Sequence, residues 1–354
     1  MKKYKKTISL FITVTFVFMC LQIQGFAVET VDYKTGLLPY TYEDVIEYLD
    51  STSICATLPT SVDNTSDFPT PGDQGQQNSC VGWAVGYALK SNIEYLKYGW
   101  TLSTNNHKTS PGYIYNQINN GVDGGANIID ALELMKTQGA CTLAYYPYRE
   151  SNYTIQPNPT QCANASLYKI SSFNTIFGVN EIKQRIAQNY GVVIGIEVYP
   201  DFTYLSQSDS IYDDTSGTKS GLGHAICLVG YDDNMGDNGA FKFINSWGTD
   251  WGVDGYGWIS YDTVIDASHI KNLAVGFTVE MGFDTYIMGD VDDNGIIDTT
   301  DAQLALIGAN YMYDITATQY VLADVNGDAK LTESDAREIL RVGAGIQDDF
   351  SLYQ

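Results

Sequence analysis

The apolar positions of this chain change period about half-way along it. After Cys80 they recur at helical spacing through Trp83, Val85, Ala88 and Leu89, which predicts a helix opening at the cysteine. Residues 113–118 and 128–136 carry the same spacing, and Gly139 supplies a stop. Tyr145-Tyr146-Pro147-Tyr148 then turns the chain, and residues 180–188 read as a further helix. Beyond them come short β-branched or aromatic runs at 192–198, 225–231 and 241–244, bounded by Gly, Pro, Asp and Asn, which predict strands. A helical first half and a sheet second half predict an α+β architecture with a cleft where the halves meet. Two stretches stand outside this body. Residues 42–49 can form one short amphipathic helix, and the last 65 residues hold an Asp-rich loop followed by an apolar helix, twice, with helices at 302–307 and 336–342.

Length, charge and cysteine usage narrow the picture. A chain of 354 residues has room for two domains of about 100–200 residues each. The formal net charge of −23 argues against nucleic acid or an anionic membrane surface as a partner. From Asp290 onward thirteen Asp/Glu face three Lys/Arg, which is either a solvated face or a metal-ligating region. At the other end, Lys2, Lys3, Lys5 and Lys6 precede an apolar run over 8–21, and Gly25-Phe26-Ala27 offers a small-residue cleavage site. Residues 1–27 therefore read as a signal peptide, and the protein as secreted and extracellular. The apolar run falls short of the roughly 20 residues of a membrane span, so no membrane insertion is expected. Five cysteines remain after cleavage: Cys55, Cys80, Cys141, Cys162 and Cys227. The odd count marks one thiol kept free, with Cys80 the candidate. Cys227 sits in an apolar strand and reads as a small core residue, while Cys141 and Cys162 are left as a pair that could bridge.

The candidate chemistry lies in three short stretches. Cys80 stands between a polar, Gly-containing loop and the N-terminus of the predicted helix, where the dipole and unpaired N–H groups favour the thiolate. Gln74 lies six residues upstream, where a loop can fold its amide over the cysteine. Gly223-His224-Ala225 and Asn245-Ser246-Trp247-Gly248 follow far downstream. The other two histidines, His107 and His269, sit outside these motifs and read as structural.

Residues 74–84 resemble the cysteine motif of the papain family, 224–231 its histidine strand, 245–257 its asparagine motif, and Gly124-Gly125 the glycine pair lining its substrate cleft. The separations, 144 residues from Cys80 to His224 and 21 more to Asn245, match that family's known spacing. The resemblance covers about residues 58–283. It implies Cys80 as nucleophile, His224 as proton carrier, Asn245 as the group orienting the imidazole, and Gln74 with the Cys80 N–H as oxyanion donors. It also implies that Trp247 shields the His–Asn bond and that Gly124, Gly125 and Gly223 border the substrate, with no cofactor for catalysis. Three departures stand out. Val81 follows the cysteine directly and Trp83 comes later; Gly223 precedes the histidine where many relatives have Asp; and Gln77 occupies a position often held by a disulfide cysteine, which suits a bacterial source.

In the C-terminal repeat, the two loops start 34 residues apart, at Asp290 and Asp324. Oxygen side chains stand at loop positions 1, 3, 5, 9 and 12: Asp290, Asp292, Asn294, Asp298 and Asp301, then Asp324, Asn326, Asp328, Thr332 and Asp335. With the position-7 carbonyls of Ile296 and Lys330, this is calcium-loop spacing, which predicts two Ca2+ sites. The duplicated loop and single helix, over about 288–346, resemble a type I dockerin, a small all-α module that binds cohesins of a cellulosome scaffold. The resemblance implies recognition through Thr299-Thr300 and Glu333-Ser334. Position 6 of the second loop is Ala329 where a glycine is expected, so that site should be the weaker.

The sequence thus divides into a signal peptide (1–27), a short leader (28–57), a papain-like peptidase domain (58–283) and a dockerin (284–354). The leader is open between an inhibitor and a plain strap; its helix lacks the length to cover a cleft, so it should be removable. The reading is an exported cysteine endopeptidase acting on protein or peptide substrates and docked to a cohesin at the cell surface. A catalytically silent papain-fold module that captures peptides or inhibitors is the alternative. A transglutaminase-like acyl transferase would use the same Cys and His, but it orients the imidazole with Asp, against Asn245.

Overall fold

The computed structural model describes residues 32–49, 57–270, 273–282, 284, 286–311 and 314–353. The proposed signal peptide and Cys55 lie outside them. Residues 33–354 form one compact unit.

The chain opens with helix α1 (Tyr42–Ile46), started by Thr41 in a capping box with Asp44, and strand β1 (Ser61–Asp63). The helix predicted after Cys80 is present but π-wound over Gly82–Leu89 and continues as α2 (Lys90–Tyr98), which ends at the left-handed Gly99. Then come α3 (Pro111–Ile118) and α4 (Ile128–Thr137), capped by Ser110 and Asn127, and α5 (Pro159–Ser166). The second half alternates: β2 (Ile170–Phe177), α6 (Val179–Ala187), β3 (Val192–Ile196), α7 (Pro200–Thr203), β4 (Ile211–Tyr212), β5 (His224–Asp232), β6 (Ala240–Ile244), β7 (Tyr256–Ser260), α8 (Tyr261–Asp266) and β8 (Val275–Met281). These strands form one sheet in the order β2-β8-β3-β5-β6-β7-β4, with β1 added along β5. Only β4–β7 is parallel among the described pairs. β2, β7 and β8 are absent from the sequence reading because their buried positions are interrupted by Ser, Asn, Gly or Glu.

Two packed layers follow. β3 and β5 are buried on both faces, because one side carries the helices around Val81, Val85 and Leu132 and the other carries Phe202, Phe243 and Trp251. Cys80 projects from the helical layer against β5, so helix start and sheet meet at the predicted cleft. Cys227 lies in this core as expected, and Cys141 and Cys162 are both free thiols, the first buried and the second exposed.

The C-terminal residues form α9 (Thr299–Ala309), α10 (Ala317–Ala323) and α11 (Glu333–Gly343) around a small core of Val291, Ala305, Val325 and Ile339. Helix α10 was not anticipated. Its Val321 is buried in the main core, so this module is packed on the larger domain. Lys97 secures the junction, donating to the Gly282 carbonyl at 2.8 Å and pairing with Asp284. Among the described residues no helix is long and apolar enough to cross a membrane.

Candidate active site

Cys80 is placed by the loop that precedes it. Gly75 adopts φ +57°, and Asp73 accepts the Gly75 N–H at 2.7 Å, which turns residues 73–77 back beneath the thiol. The Gln74 side chain is fully buried in this turn. Ser246 fixes it, donating from Oγ to Gln74 Oε1 at 2.7 Å, while the Gln74 N–H donates to the Ser246 carbonyl. Nε2 donates to the Gln77 carbonyl at 2.8 Å and keeps its second N–H for the cleft. Ser246 was missed as a site residue, although it lies inside the motif around Asn245.

His224 opens β5 and Asn245 follows β6, neighbouring antiparallel strands, so the sheet brings together side chains 21 residues apart. The imidazole Nε2 and Asn245 Oδ1 are 2.7 Å apart. Asn245 Oδ1 also accepts the Ser246 N–H at 2.8 Å, which sets the amide with its oxygen toward the ring. His224 Nδ1 has no hydrogen-bond partner and remains for a reacting group. Trp247 lies over the histidine, ring centroids 4.7 Å apart, and Phe202 packs edge-on at 5.7 Å. Cys80 Sγ accepts the N–H of Ala225 at 3.4 Å, so the thiol rests on the residue after the histidine. Thiol and imidazole do not hydrogen-bond to each other here. Burial pushes the Cys80 thiol up to about 12, and burial lowers His224 to about 4 although Asn245 opposes it. In this state both groups are neutral near pH 7.

A segment of the leader crosses this cleft, and the expectation that the leader lacks the length to cover it is corrected. Residues 33–38 run through the cleft as an extended segment. Six residues of extended chain span about 20 Å, so no long helix is needed to cover the site. Tyr33 stacks on Trp247 at 4.5 Å, and the Trp247 indole donates to the Lys34 carbonyl at 2.7 Å. Gln74 Nε2 donates to the Thr35 carbonyl at 3.2 Å. The Gly36 and Leu37 N–H groups both donate to the Gly223 carbonyl, at 3.1 and 2.9 Å. Ala126 N–H donates to the Gly36 carbonyl, and Leu38 N–H to the Ala126 carbonyl. Leu37 is fully buried against Gly195, and Tyr40 and Val45 extend the contact into the core. The predicted helix is correspondingly shorter, ending at Ile46.

The glycines divide. At Gly125, φ is +94° and a Cβ would lie 2.3 Å from the Gly36 carbonyl oxygen, so close approach of an extended chain requires glycine there. Gly223 offers its carbonyl to that chain, and its own Cβ would strike His269. Gly124 is exposed with only an ordinary contact to Val122, and takes no part in holding the leader's main chain.

The acidic loops lie elsewhere on the molecule. In the first, oxygens of Asp290, Asp292 and Asp301 lie within 4.8 Å of one another, with Asp290 and Asp301 buried. Asp290 accepts the N–H groups of Asn294 and Gly295, which curls the loop around it. In the second, Asp324 Oδ2 accepts the Ala329 N–H at 2.8 Å while Oδ1 is buried without a partner. Asn326 and Thr332 both bond to Asp335, and Asp328 accepts the Lys330 N–H at 2.9 Å. Asp298 caps α9 by accepting the Thr300 N–H. Ile296 is exposed, as are Thr299, Thr300, Glu333 and Ser334. Ala329 has φ +66°, the left-handed conformation anticipated at that position.

Residues 58–278 match the profile described as "Papain family cysteine protease". An uncharacterized peptidase C1-like protein of Acanthamoeba polyphaga mimivirus is 25% identical over 245 residues, 63% of this chain and 73% of that protein. Cathepsin K of Gallus gallus is 29% identical over 204 residues, 56% of this chain and 58% of the other. Among solved structures, Xylellain, a cysteine protease from Xylella fastidiosa, superposes with a TM-score of 0.59 at 22% identity, covering 71% of this chain and 97% of that one. Procathepsin L2 from the larval midgut of Tenebrio molitor gives 0.57 at 18%, covering 70% and 78%. The two structural likenesses establish a shared fold.

Proposed function

The chain belongs to the papain family of cysteine proteases, and from that footing we propose that it is an exported cysteine endopeptidase, held by its own leader and carried on a scaffold by a calcium-dependent C-terminal dockerin. One observation carries the catalytic part. The Gln74 amide donates to a carbonyl oxygen in a cleft whose floor holds Cys80 and whose wall holds the His224–Asn245 pair.

When a substrate replaces the leader, Gln74 Nε2 and the Cys80 N–H receive the oxygen of the attacked carbonyl. The thiol proton passes to the unpartnered Nδ1 of His224, which later returns it to the leaving amine. Asn245 holds the ring at Nε2 and accepts its N–H, and Trp247 keeps water from that bond. Gly125 and Gly223 border the substrate backbone. In the closed form the burial that seats residues 33–38 also disfavours the thiolate and the imidazolium, so the covered site is dormant.

The acidic loops fit calcium by their donor set. Three carboxylates converge in the first, and the second leaves a buried carboxylate oxygen with no hydrogen-bond donor, which a cation would satisfy. Bound calcium would supply the positive charge that offsets the repulsion among each loop's carboxylates. Asp290, Asp292, Asn294, Asp298 and Asp301 would hold one ion with the Ile296 carbonyl. Asp324, Asn326, Asp328, Thr332 and Asp335 would hold the other with that of Lys330. The exposed pairs Thr299-Thr300 and Glu333-Ser334 are the cohesin-facing positions in this reading.

The test is irreversible labelling by an epoxide-type thiol inhibitor, followed by turnover of a peptide library, before and after removal of residues up to 57. Labelling of Cys80 and hydrolysis should appear on removal and vanish in Cys80→Ala. A freed cleft that binds peptides without cutting them would instead establish the silent binding module. Capture by cohesins, with and without a chelator, tests the C-terminal half separately.

A further inference from the structure

The two acidic loops have nearly the same ligand pattern but different surroundings. Among the described residues, the hydrogen bonds to the first loop's Asp290 and Asp301 come from main-chain N–H groups of their own loop. The second loop is pressed against the peptidase domain. The Tyr145 hydroxyl donates to Asp324 Oδ2. Asn106 Nδ2 donates to the Asn326 carbonyl at 2.8 Å. His107 Nε2 and the carbonyl of Leu352, in the 3-10 turn 351–353 near the C-terminus, are 2.6 Å apart. Because a carbonyl only accepts, Nε2 carries the proton, and Nδ1 then accepts from Thr101 Oγ1 at 2.9 Å. Tyr145, His107 and Asp324 are each less than a tenth exposed.

The geometry points to a division of labour: the second loop is a calcium clamp that fastens the C-terminal module to its own peptidase domain, with Tyr145 as its positioning residue, and only the first loop is left as a free calcium-dependent docking element. This rests on the calcium reading above and goes beyond it. Tyr145 and Ala329 together occupy Oδ2 of Asp324, which leaves Oδ1 buried, unpartnered and available to an ion. A cation there would meet a carboxylate already oriented and stripped of water, where charge interactions are strongest. The contact is reciprocal. Packing on Tyr145 prepares the site, and an ion in the site stabilises the packed arrangement by the same factor. Tyr145 also lies three residues from Tyr148, whose hydroxyl donates to the Gln74 carbonyl at 2.8 Å and lies 3.0 Å from Ser79 Oγ. The clamp thus grips a segment that supports the loop beneath Cys80.

The experiment is calorimetric titration of the full chain with calcium, paired with amide hydrogen exchange over residues 105–108 and 145–148. The wild type should bind two ions, and calcium should slow exchange in both segments. Asp290→Ala should lose one ion and keep the slowing; Asp324→Ala should lose the other ion and the slowing with it. Tyr145→Phe, which keeps the ring and removes one charge-assisted hydrogen bond, should weaken a single site by about tenfold or more and leave the other unchanged. Asn106→Ala serves as a second seam variant should Tyr145→Phe melt early. Two ions bound with wild-type affinity in both seam variants, or exchange indifferent to calcium in the wild type, would overturn the clamp while leaving calcium binding intact. No calcium bound by the wild type would overturn the calcium reading itself and the clamp with it.

Discussion

Residues 33–38 and the second acidic loop, 324–335, both lie against the peptidase body, and they are held in different ways. The leader is held mainly through its backbone: the carbonyls of Lys34, Thr35 and Gly36 and the N–H groups of Gly36, Leu37 and Leu38 take up donors and acceptors of the cleft. The second loop is held through one side chain of its own, the Asp324 carboxylate on Tyr145, and through the Asn326 main-chain carbonyl on Asn106. Main-chain recognition accepts many sequences in extended form, which is what a peptidase cleft requires of a substrate. Side-chain recognition accepts one partner. The same domain thus meets residues 33–38 mainly through their main-chain groups and the second loop partly through a side-chain carboxylate.

The largest expected effect concerns residues 33–38. Removing residues up to 57 should raise peptide hydrolysis by orders of magnitude, and Cys80→Ala in that form should abolish it, since nucleophile and base act as a unit. Gly36→Ala offers an internal check. A Cβ there would sit 2.0 Å from the Asn78 carbonyl oxygen at φ +135°, so the substitution should loosen the leader and expose Cys80 to thiol labelling without a cut. Wild-type resistance to labelling in Gly36→Ala would break the backbone account of how the leader is held.

Next in size is Gln74→Ala in the freed enzyme, with a loss of roughly 10²–10³ in kcat if the amide is an oxyanion donor. Ser246→Ala should fall in the same direction by less, because Gln74 keeps its main-chain bond to residue 246. A change in KM alone for Gln74→Ala would move the amide from transition-state stabilisation to ground-state binding.

A pH effect of a few kcal/mol follows from His224. It is packed against Trp247 and Phe202, bonded to Asn245, and near a neutral Cys80. Its folded value lies near 4, below the ordinary 6.5. Between these pH values the unfolded chain binds a proton that the closed fold refuses. Stability therefore falls as pH drops from about 6.5 to about 4, by at most about 3 kcal/mol, and is unaffected by this group above that window. Buried carboxylates such as Asp335 shift upward and act in the opposite sense, so the quantity to measure is the difference in melting between wild type and His224→Gln. A difference that stays flat from pH 7 to pH 4.5 would show that the closed fold does not desolvate the imidazole.

The smallest effect sharpens the contrast between the loops. Ala329 occupies φ +66°, and Gly295, its counterpart, φ +87° with open space where a Cβ would stand. Ala329→Gly should stabilise the second loop by about 1 kcal/mol and tighten its calcium affinity, and Gly295→Ala should cost the first loop a similar amount. Equal responses of both sites to either change would mean that the loops titrate as one unit.

Much of this was legible in the residues themselves. Cys80 at a helix start, His224 opening one strand and Asn245 just past another, and paired loops with left-handed sixth positions all follow from local pattern, because turn chemistry, helix capping and ligand spacing act over a few residues. The α+β division was legible for the same reason, through a change of apolar period. The strands β2, β7 and β8 were not, since their Ser, Asn, Gly and Glu positions acquire partners only across the sheet. Nor were the Ser246 anchor on Gln74, the leader in the cleft and the Tyr145 contact with Asp324, which join residues from 39 to 179 positions apart or more. Such contacts depend on which buried donors and acceptors face each other once the layers have closed, and no local periodicity encodes that. Sequence by itself marked Cys80, His224, Asn245 and the two acidic loops; tertiary packing decided that residues 33–38 cross the cleft beside the first three and that the second loop meets Tyr145.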